Sequence, residues 1–266
     1  MTDVRVRGIR LYYEEHGDGG PILCIHGTSS SALVWGDAVA KLARLGRVIV
    51  YDRRGCTRSE RPKQYERTSV PEHTDDAAAL LDALDATPAI VIGRSYGGEV
   101  AIDLTLRYPE KVAALVLLEA ALFSLSPATA PFVDALTASV QAAAARDPST
   151  VGEVFIRGVL GDAAWESFPE RLREMFRDNG PAILAEGTGG GLEVSREELG
   201  RIDKPTLVVG GADSPEAFAL ANDDIAAAIP GARKLVIAGG HLVDPADPGV
   251  VAFIEHVRAA PGEPPD

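Results

Sequence analysis

Short apolar runs alternate with segments of helical pattern along most of this chain, and this alternation limits the folds that it can adopt. Residues 4–16 predict two short strands that turn at Gly8, and residues 34–45 have a helical pattern. The continuous apolar runs of strand length are residues 21–25, 48–51, 89–92, 112–118, 205–209 and 234–237. Such runs are typical of parallel sheets, because crossover helices cover both faces. We therefore expect an α/β fold with a mostly parallel sheet flanked by helices.

The alternation stops after the sixth predicted strand, which ends at Leu118. Residues 122–201 are rich first in alanine, then in charged and aromatic residues, and then in glycine, and they contain no apolar run of comparable strength. This change predicts a helical cap inserted after the sixth strand. The α/β core is then formed by residues 1–121 and 202–260, and residues 261–266 are expected to be a disordered tail.

Charge and cysteine content exclude several classes of partner and site. The 266 residues include 39 acidic and 26 basic side chains, which gives a net charge of −13 at pH 7 without any basic run. Nucleic acids and anionic membranes attract basic surfaces, so we expect neither as a partner. Cys24 and Cys56 are the two cysteines, which gives no disulfide framework and no metal-finger spacing, and we expect no metal site.

The sequence also bears on cellular location. No apolar stretch reaches the ~18 residues that a membrane-spanning helix needs. The N-terminal residues lack the apolar core of a signal peptide. We therefore expect a cytoplasmic protein and leave its oligomeric state open.

The strongest local motif is Gly-Arg-Ser-Tyr-Gly at residues 93–97, between the apolar run 89–92 and a segment of helical pattern at 99–107. A serine on such a strand-to-helix turn projects its hydroxyl above the sheet, and the flanking glycines relieve crowding between strand and helix. The N-terminus of the following helix adds oriented N–H groups and the positive end of the helix dipole. Ser95 is therefore the predicted nucleophile, with a purely structural serine in a glycine turn as the alternative.

A serine hydroxyl is a weak nucleophile until a base takes its proton, and the chain has five histidines. His241 follows Gly239-Gly240, after the strand at 234–237 and before the last helix. It is therefore expected on a loop at the same sheet edge as Ser95, which suits a general base. The other histidines lie in a polar turn, near a helix start, at a strand end and within the last helix.

Four segments of the chain together resemble the enzymes of the α/β-hydrolase fold. They are His26-Gly27, Asp52–Ser59, Gly93–Gly98 and Gly239–His241, and the resemblance covers nearly the whole chain outside the cap. It implies an oxyanion hole formed by two backbone N–H groups, those of Thr28 and Tyr96. It also implies that Asp52–Gly55 is mostly a structural turn near the site.

The resemblance implies the chain order serine, acid, histidine, but two carboxylates compete for the acid position. Asp213 follows the seventh strand, where most of the family places its acid, yet it stands one residue earlier than the family pattern requires. Glu119 ends the sixth strand, which is the alternative position in some members of the fold, and stands 24 residues after Ser95. A carboxylate directly after a buried strand also needs a partner, because an unpaired buried charge is costly. We favour Glu119 and keep Asp213 as the alternative.

The resemblance implies a cofactor-free serine hydrolase that cleaves a carboxylic ester or lactone through an acyl-enzyme intermediate. The placement of Glu119 and the Gly-x-x-Ser-Pro sequence at 211–215 are similar to bacterial hydrolases of the zearalenone-lactonase kind. That similarity suggests a small apolar ester or lactone as substrate. In the cap, Trp165, Phe168 and Phe176 either line the acyl pocket or pack inside the cap itself.

Other functions use the same residues and stay open. The same triad supports C–C bond hydrolysis, perhydrolysis, elimination from cyanohydrins and acyl transfer. A non-catalytic ligand-binding member of the fold would differ by saturable binding with negligible turnover of activated esters. Haloalkane dehalogenases and epoxide hydrolases resemble this chain but need Asp where Ser95 stands, and we disfavour them.

Overall fold

The computed structural model describes residues 2–259, so the tail predicted to be disordered at 261–266 lies outside the described residues. The strands are β1 (Thr2–Val6), β2 (Ile9–His16), β3 (Pro21–Ile25), β4 (Arg47–Tyr51), β5 (Ala89–Arg94), β6 (Val112–Leu118), β7 (Thr206–Gly211) and β8 (Arg233–Ile237). The α-helices are α1 (Ala38–Leu42), α2 (Val70–Ala83), α3 (Tyr96–Arg107), α4 (Ala130–Arg146), α5 (Val151–Leu160), α6 (Asp162–Ser167), α7 (Glu170–Asp178), α8 (Gly180–Gly189), α9 (Arg196–Leu199), α10 (Glu216–Ala228) and α11 (Pro248–Ala259). Every predicted apolar run forms a strand.

The strands of the described residues form one eight-stranded sheet in the order β1-β2-β4-β3-β5-β6-β7-β8. β1 pairs antiparallel with β2, and β2 pairs antiparallel with β4. All pairs from β4 to β8 along the sheet are parallel, which confirms the prediction of a mostly parallel sheet. The carboxyl ends of these parallel strands therefore meet at one edge of the sheet, with β5 near its middle.

Alternate residues of the central strands pack on opposite faces of the sheet, as the two-residue period of a strand requires. On β5, Val91 packs in the cluster that includes Leu104 of α3, whereas Ile92 packs in the cluster that includes Phe253 of α11. Full burial of one such side chain contributes about 1.5–3 kcal/mol to folding. Because helices cover both faces, polar side chains can reach open space mainly at the strand ends.

The helical pattern predicted at 34–45 is broken in the structure. A 3-10 turn at Ala32–Trp35 comes first, and α1 follows after Gly36. Gly36 has a φ of 45°, which glycine adopts without strain and which turns the chain between the two short helices. The segment therefore covers the sheet as two short pieces and not as one helix.

Helices α4 to α8 lie between β6 and β7 and bury apolar side chains among themselves. These buried side chains are Val140, Ala143, Val151, Ile156, Trp165, Met175, Phe176 and Ile183. Leu192 and Leu199, near the end of the 122–201 range, pack instead in the main core cluster. The part of the insertion that packs separately thus ends before residue 192. Even α4, with 17 residues, falls short of a membrane span, and the same holds for every helix within residues 2–259.

Candidate active site

Ser95 stands directly after β5 and before α3, at the sharp turn that the motif predicted. Its φ of 53° and ψ of −124° lie in a backbone region that residues other than glycine rarely occupy. Its backbone N–H donates to the carbonyl oxygen of Leu118 at 3.1 Å, which ties the turn to the end of β6. Backbone strain of this kind occurs most often at functional sites.

Glycines on both sides of Ser95 allow β5 and α3 to approach closely. A Cβ at Gly93 would collide with the carbonyl oxygen of Gly97, and a Cβ at Gly97 would collide with that of Ile25. Alanine at either position would therefore push α3 away from the sheet. With glycine present, the N-terminus of α3 stays directly behind Ser95.

His241 lies on the loop after β8 and is buried, with 6% of its surface exposed. Its Nδ1 lies 3.3 Å from Oε2 of Glu119, which leaves Nε2 as the ring nitrogen that can exchange a proton with a substrate or nucleophile. Ser95 and His241 line the same small cavity, of about 40 Å³. Burial lowers the pKa of His241, Glu119 raises it and Arg94 lowers it, and the net pKa lies below 6.5. The ring is therefore mainly neutral at pH 7, as a general base must be.

Glu119 is fully buried directly after β6, with a φ of 52°. While Oε2 faces His241, Oε1 accepts hydrogen bonds from the N–H of Gly211 at 2.7 Å and from Nδ2 of Asn222 at 3.1 Å. These donors compensate the loss of water around a buried carboxylate and fix its orientation. Asn222, on α10, was missed by sequence analysis. The sequence feature that could have indicated Asn222 is a polar amide among the apolar residues on the buried face of this helix.

The structure pairs His241 with Glu119, and Asp213 lies elsewhere. Asp213 is exposed on the loop after β7. Its backbone N–H donates to the carbonyl oxygen of Gly239 at 2.9 Å, so this residue braces the loop that carries His241 through its main chain. Among the described residues, the carboxylate in contact with the His241 ring is Glu119.

The two predicted oxyanion donors lie beside Ser95. Tyr96 is the first residue of α3, so its N–H has no acceptor within the helix. On the other side, a Cβ at Gly27 would lie 3.0 Å from the Cβ of Ser95, which shows how closely the segment before Thr28 approaches Ser95. Thr28, Ser95 and Tyr96 line one cavity. Both predicted donor residues therefore border the space beside Ser95.

A buried ion pair supports the Thr28 segment from below. Arg53, fully buried after β4, donates to the carbonyl oxygens of His26 and Gly27, each at 3.0 Å. Its Nη2 lies 2.7 Å from Oε1 of Glu186 on α8, and the hydroxyl of Thr28 donates to Oε2 of the same carboxylate at 2.6 Å. This arrangement agrees with a structural role for the turn at Asp52–Gly55. Glu186, which connects the inserted helices to the core, was not found from the sequence.

A cavity of about 800 Å³ extends from Ser95 between the core and the inserted helices. Its apolar walls come mainly from the insertion and from α10, and the aromatic residues among them are Phe123, Phe132, Phe155 and Phe218.

Trp165 and Phe168 pack in the cluster inside the cap, and Phe176 packs there too while lining the small cavity beside His241. Packing inside the cap therefore describes all three residues, and Phe176 in addition borders the small cavity that Ser95 and His241 line. Within residues 2–259, no group of three or more His, Cys, Asp or Glu side chains is arranged to hold a metal ion.

A family model described as the alpha/beta hydrolase fold matches residues 20–157, which is about half of the chain. The chain belongs to this family. Its matched part contains Ser95, Glu119 and the segment before Thr28, so the family assignment and the geometry concern the same residues.

Individual relatives differ in what their names describe. A 2-hydroxymuconate semialdehyde hydrolase of Pseudomonas sp. strain CF600 is 36% identical over 124 residues, which cover 45% of this chain and 43% of that protein. A haloalkane dehalogenase of Sphingobium indicum is 26% identical, and the alignment covers 97% of this chain and 96% of the dehalogenase. A solved structure described as an N-acyl homoserine lactone degrading enzyme has a TM-score of 0.75, is 27% identical, and covers 97% of this chain and 100% of its own. The chain spans less than half the length of the curated relatives that it matches at 36% identity.

Proposed function

We propose that this protein is a serine hydrolase that cleaves a carboxylic ester or lactone through an acyl-enzyme intermediate. The observation that carries this proposal is the contact between Nδ1 of His241 and the buried carboxylate of Glu119, beside a serine at a strained strand-to-helix turn. A nucleophile, a base and an acid that orients the base are the parts that acyl transfer needs.

In the proposed mechanism, Nε2 of His241 takes the proton of the Ser95 hydroxyl while its oxygen attacks the substrate carbonyl carbon. The N–H groups of Thr28 and Tyr96 donate to the oxygen that becomes negative, an interaction whose loss typically costs ~10²–10³ in rate. The imidazolium then gives its proton to the departing alkoxide as the ester bond breaks. A water molecule, deprotonated by His241, attacks the acyl-enzyme and releases the acid and free Ser95. Glu119 keeps the proton of His241 on Nδ1 and stabilises the imidazolium.

The substrate class follows from the cavity and from the nucleophile. An apolar space of about 800 Å³ beside Ser95 accommodates a small apolar ester or lactone. A serine at position 95 argues against the reaction for which the dehalogenase relative is named, since that reaction needs a carboxylate nucleophile. The lactone-degrading solved structure, which is similar over nearly its whole length, supports including lactones.

The first experiment is the intact mass of the protein after treatment with an alkyl fluorophosphonate. We expect one adduct on the native protein and on Ser124→Ala, which changes another serine lining the same cavity, and none on Ser95→Ala. A panel of esters and lactones then identifies substrates. If the native protein forms no adduct and hydrolyses no member of the panel, the proposal is wrong, and ligand binding without turnover becomes the function to examine.

Hydrolysis of a C–C bond by the same triad is the second candidate, and the muconate semialdehyde hydrolase relative favours it. The two candidates share Ser95, Glu119 and His241 and differ in the bond that is broken. Turnover of 2-hydroxymuconate semialdehyde at a rate above that of every ester and lactone in the panel would support the second candidate and contradict the first.

A further inference from the structure

The large cavity is lined by a group of neighbouring acidic side chains, which we call the acidic end. It consists of Glu99 on α3, Glu186 on α8 and Glu193 on the loop that follows, and all three line the cavity. Glu99 and Glu186 are buried, each with 4% of its surface exposed, whereas Glu193 is exposed. The two buried carboxyl groups in the cavity wall need an explanation, since an apolar residue at either position would avoid the cost of removing a carboxyl group from water.

The partners of the two buried carboxyl groups differ. Glu186 is paired with Arg53 and accepts the hydroxyl of Thr28, so its charge is compensated within the protein. Glu99 accepts one hydrogen bond, at Oε2 from the N–H of Leu192, and its Oε1 has no hydrogen-bond partner within residues 2–259. Of the two buried carboxyl groups, Glu99 is therefore the one without an ion-pair partner, and its Oε1 can accept from or pair with a ligand.

A second unpartnered polar group lies in the same region. The hydroxyl of Tyr96 has no hydrogen-bond partner within the described residues, although Tyr96 is 7% exposed and lines the cavity. Buried hydroxyl groups almost always have a partner. Both groups lie close to Ser95, Tyr96 next to it in sequence and Glu99 one helical turn later. A ligand that reaches Ser95 can therefore also reach them.

The charges around Glu99 decide which ligand group fits. The charged groups that face it are Glu186 on α8, Arg53 after β4 and Glu193 on the loop after α8. Two carboxylates and one guanidinium leave a net negative environment even when Glu99 is neutral, and the whole chain carries −13. A carboxylate on the substrate would be repelled there, while a cation would gain a buried partner in Glu99.

We propose that the acidic end of the cavity binds a cationic group, an amine or a quaternary ammonium, carried by an otherwise apolar ester or lactone substrate, with Glu99 as its partner. This inference rests on the proposed function and names the substrate class of the same site. The apolar part of the substrate lies against the aromatic walls, and the reacting carbonyl lies at Ser95. Binding of the cation favours the ionised form of Glu99, so a proton leaves the site when such a substrate binds.

The test compares matched esters that differ only in the charge of one group. The pair carries either a trimethylammonium group or the neutral tert-butyl group of the same shape, and it is made with that group on the acyl side and on the alcohol side. We expect the native protein to show a higher kcat/KM for the cationic member, by about tenfold or more, in at least one pair. Glu99→Gln keeps the shape and the acceptor for Leu192 but cannot ionise, so at pH 9, where Glu99 of the native protein is ionised, the variant should lose most of this preference.

The preference is a ratio of two kcat/KM values measured on one protein, so a general loss of activity in the variant cancels. Asp134→Asn is the matched control, because it removes another carboxylate that lines the cavity, on α4 and outside the group of charges that act on Glu99. We expect it to retain the preference. An equal loss in both variants, or no preference in the native protein, would overturn the inference and leave ester hydrolysis itself unaffected.

The dependence on pH provides a second readout. Burial raises the pKa of Glu99 to about 8, with Leu192 lowering and Glu186 raising it, so the carboxyl group is mainly neutral at pH 7. The preference for the cationic ester should therefore increase from about pH 7 to about pH 9 as Glu99 ionises, and Glu99→Gln should abolish this increase. If the native protein hydrolyses no ester, calorimetric binding of the same pairs to Ser95→Ala tests whether the acidic end prefers the cationic member. Equal affinity for both members would then overturn the inference.

Discussion

Two residues of the candidate site other than glycine adopt left-handed backbone conformations. Ser95 and Glu119 have φ angles of 53° and 52°, and each is the first residue after a central parallel strand. A turn of this kind ends the strand abruptly and directs the side chain across the sheet edge, away from the strand direction. The cost of the conformation is of order 1–3 kcal/mol per residue, and the surrounding packing must offset it.

The identity of the acid is the first prediction at this scale. Glu119→Ala should reduce kcat for an activated ester by up to about 10⁴-fold, because His241 then loses the group that orients it and stabilises its protonated form. Asp213→Ala should leave kcat unchanged, since this exposed side chain does not contact the ring. The measurement is steady-state ester hydrolysis by folded variants. A loss confined to Asp213→Ala would reverse our assignment.

The second prediction at this scale concerns the protonation of His241. The groups that act on its charge are Glu119 at the end of β6 and Arg94 at the end of β5, and burial is the largest influence. Its pKa is lowered, and the base must be neutral, so activity should rise with pH through a midpoint below 6.5 in the profile of kcat/KM. Arg94→Met removes a positive charge and should move this midpoint to higher pH. A midpoint that stays in place or falls in the variant would contradict the argument.

At the scale of elements, the candidate site depends on loops and helices that are distant in sequence. Glu119 follows β6, Asn222 lies on α10 and His241 follows β8, yet the parallel sheet brings the ends of these strands to one edge. The position of Ser95 likewise depends on two neighbouring elements, because the glycines beside it let the N-terminus of α3 approach β5. Each strand delivers one group, and neighbouring elements hold it in place by hydrogen bonds to the main chain.

The ion pair between Arg53 and Glu186 joins the inserted helices to the core, and removing one partner should be costly. Glu186→Ala leaves a fully buried guanidinium without its carboxylate, and the expected loss in the free energy of unfolding is about 3–5 kcal/mol. Glu153→Ala, which breaks partly exposed pairs with Arg157 and Arg177, should cost about 0–1 kcal/mol. Urea unfolding measures both values. The double variant Arg53→Met with Glu186→Met should recover part of the loss, and equal costs for the two single variants would contradict this account.

At the scale of the whole molecule, the insertion both packs within itself and forms a wall of the cavity. The aromatic residues divide between these two tasks. Trp165 is 1% exposed inside the cluster of inserted helices, whereas Phe132 lines the cavity. Removal of the Trp165 ring and removal of the Phe132 ring should therefore differ in their effects on stability and on substrate selection.

We expect Trp165→Ala to lower the free energy of unfolding by about 3–5 kcal/mol, because it leaves a cavity in a packed cluster. Phe132→Ala should cost less stability and should shift the preference among esters toward larger apolar groups, since it widens the cavity. Denaturant unfolding and kcat/KM across a series of acyl chain lengths separate the two effects. A change in chain-length preference for Trp165→Ala alone would show that the division of tasks is wrong.

Much of the architecture can be read from patterns between near neighbours in the chain. Continuous apolar runs predicted the strands, because a strand buried on both faces must be apolar at every position. Residues 93–97 predicted the turn at Ser95, because a close approach of strand and helix requires glycine on both sides. The helical pattern at 34–45 misled in detail, since the left-handed Gly36 that divides it has no periodic signal.

Several decisions belonged to the tertiary structure alone. Which carboxylate meets His241, where the carboxyl group of Glu119 finds Asn222, and which aromatic residues line the cavity all depend on contacts between elements far apart in sequence. The spacing of residues along the chain determines which strand end carries a group, but not the angle at which the group leaves the sheet. Glu186 and Glu99 face the same cavity only because α8 meets the core at Arg53 and the loop after α8 meets α3. Local physics thus determined the elements, and the packing of distant elements determined which polar groups meet.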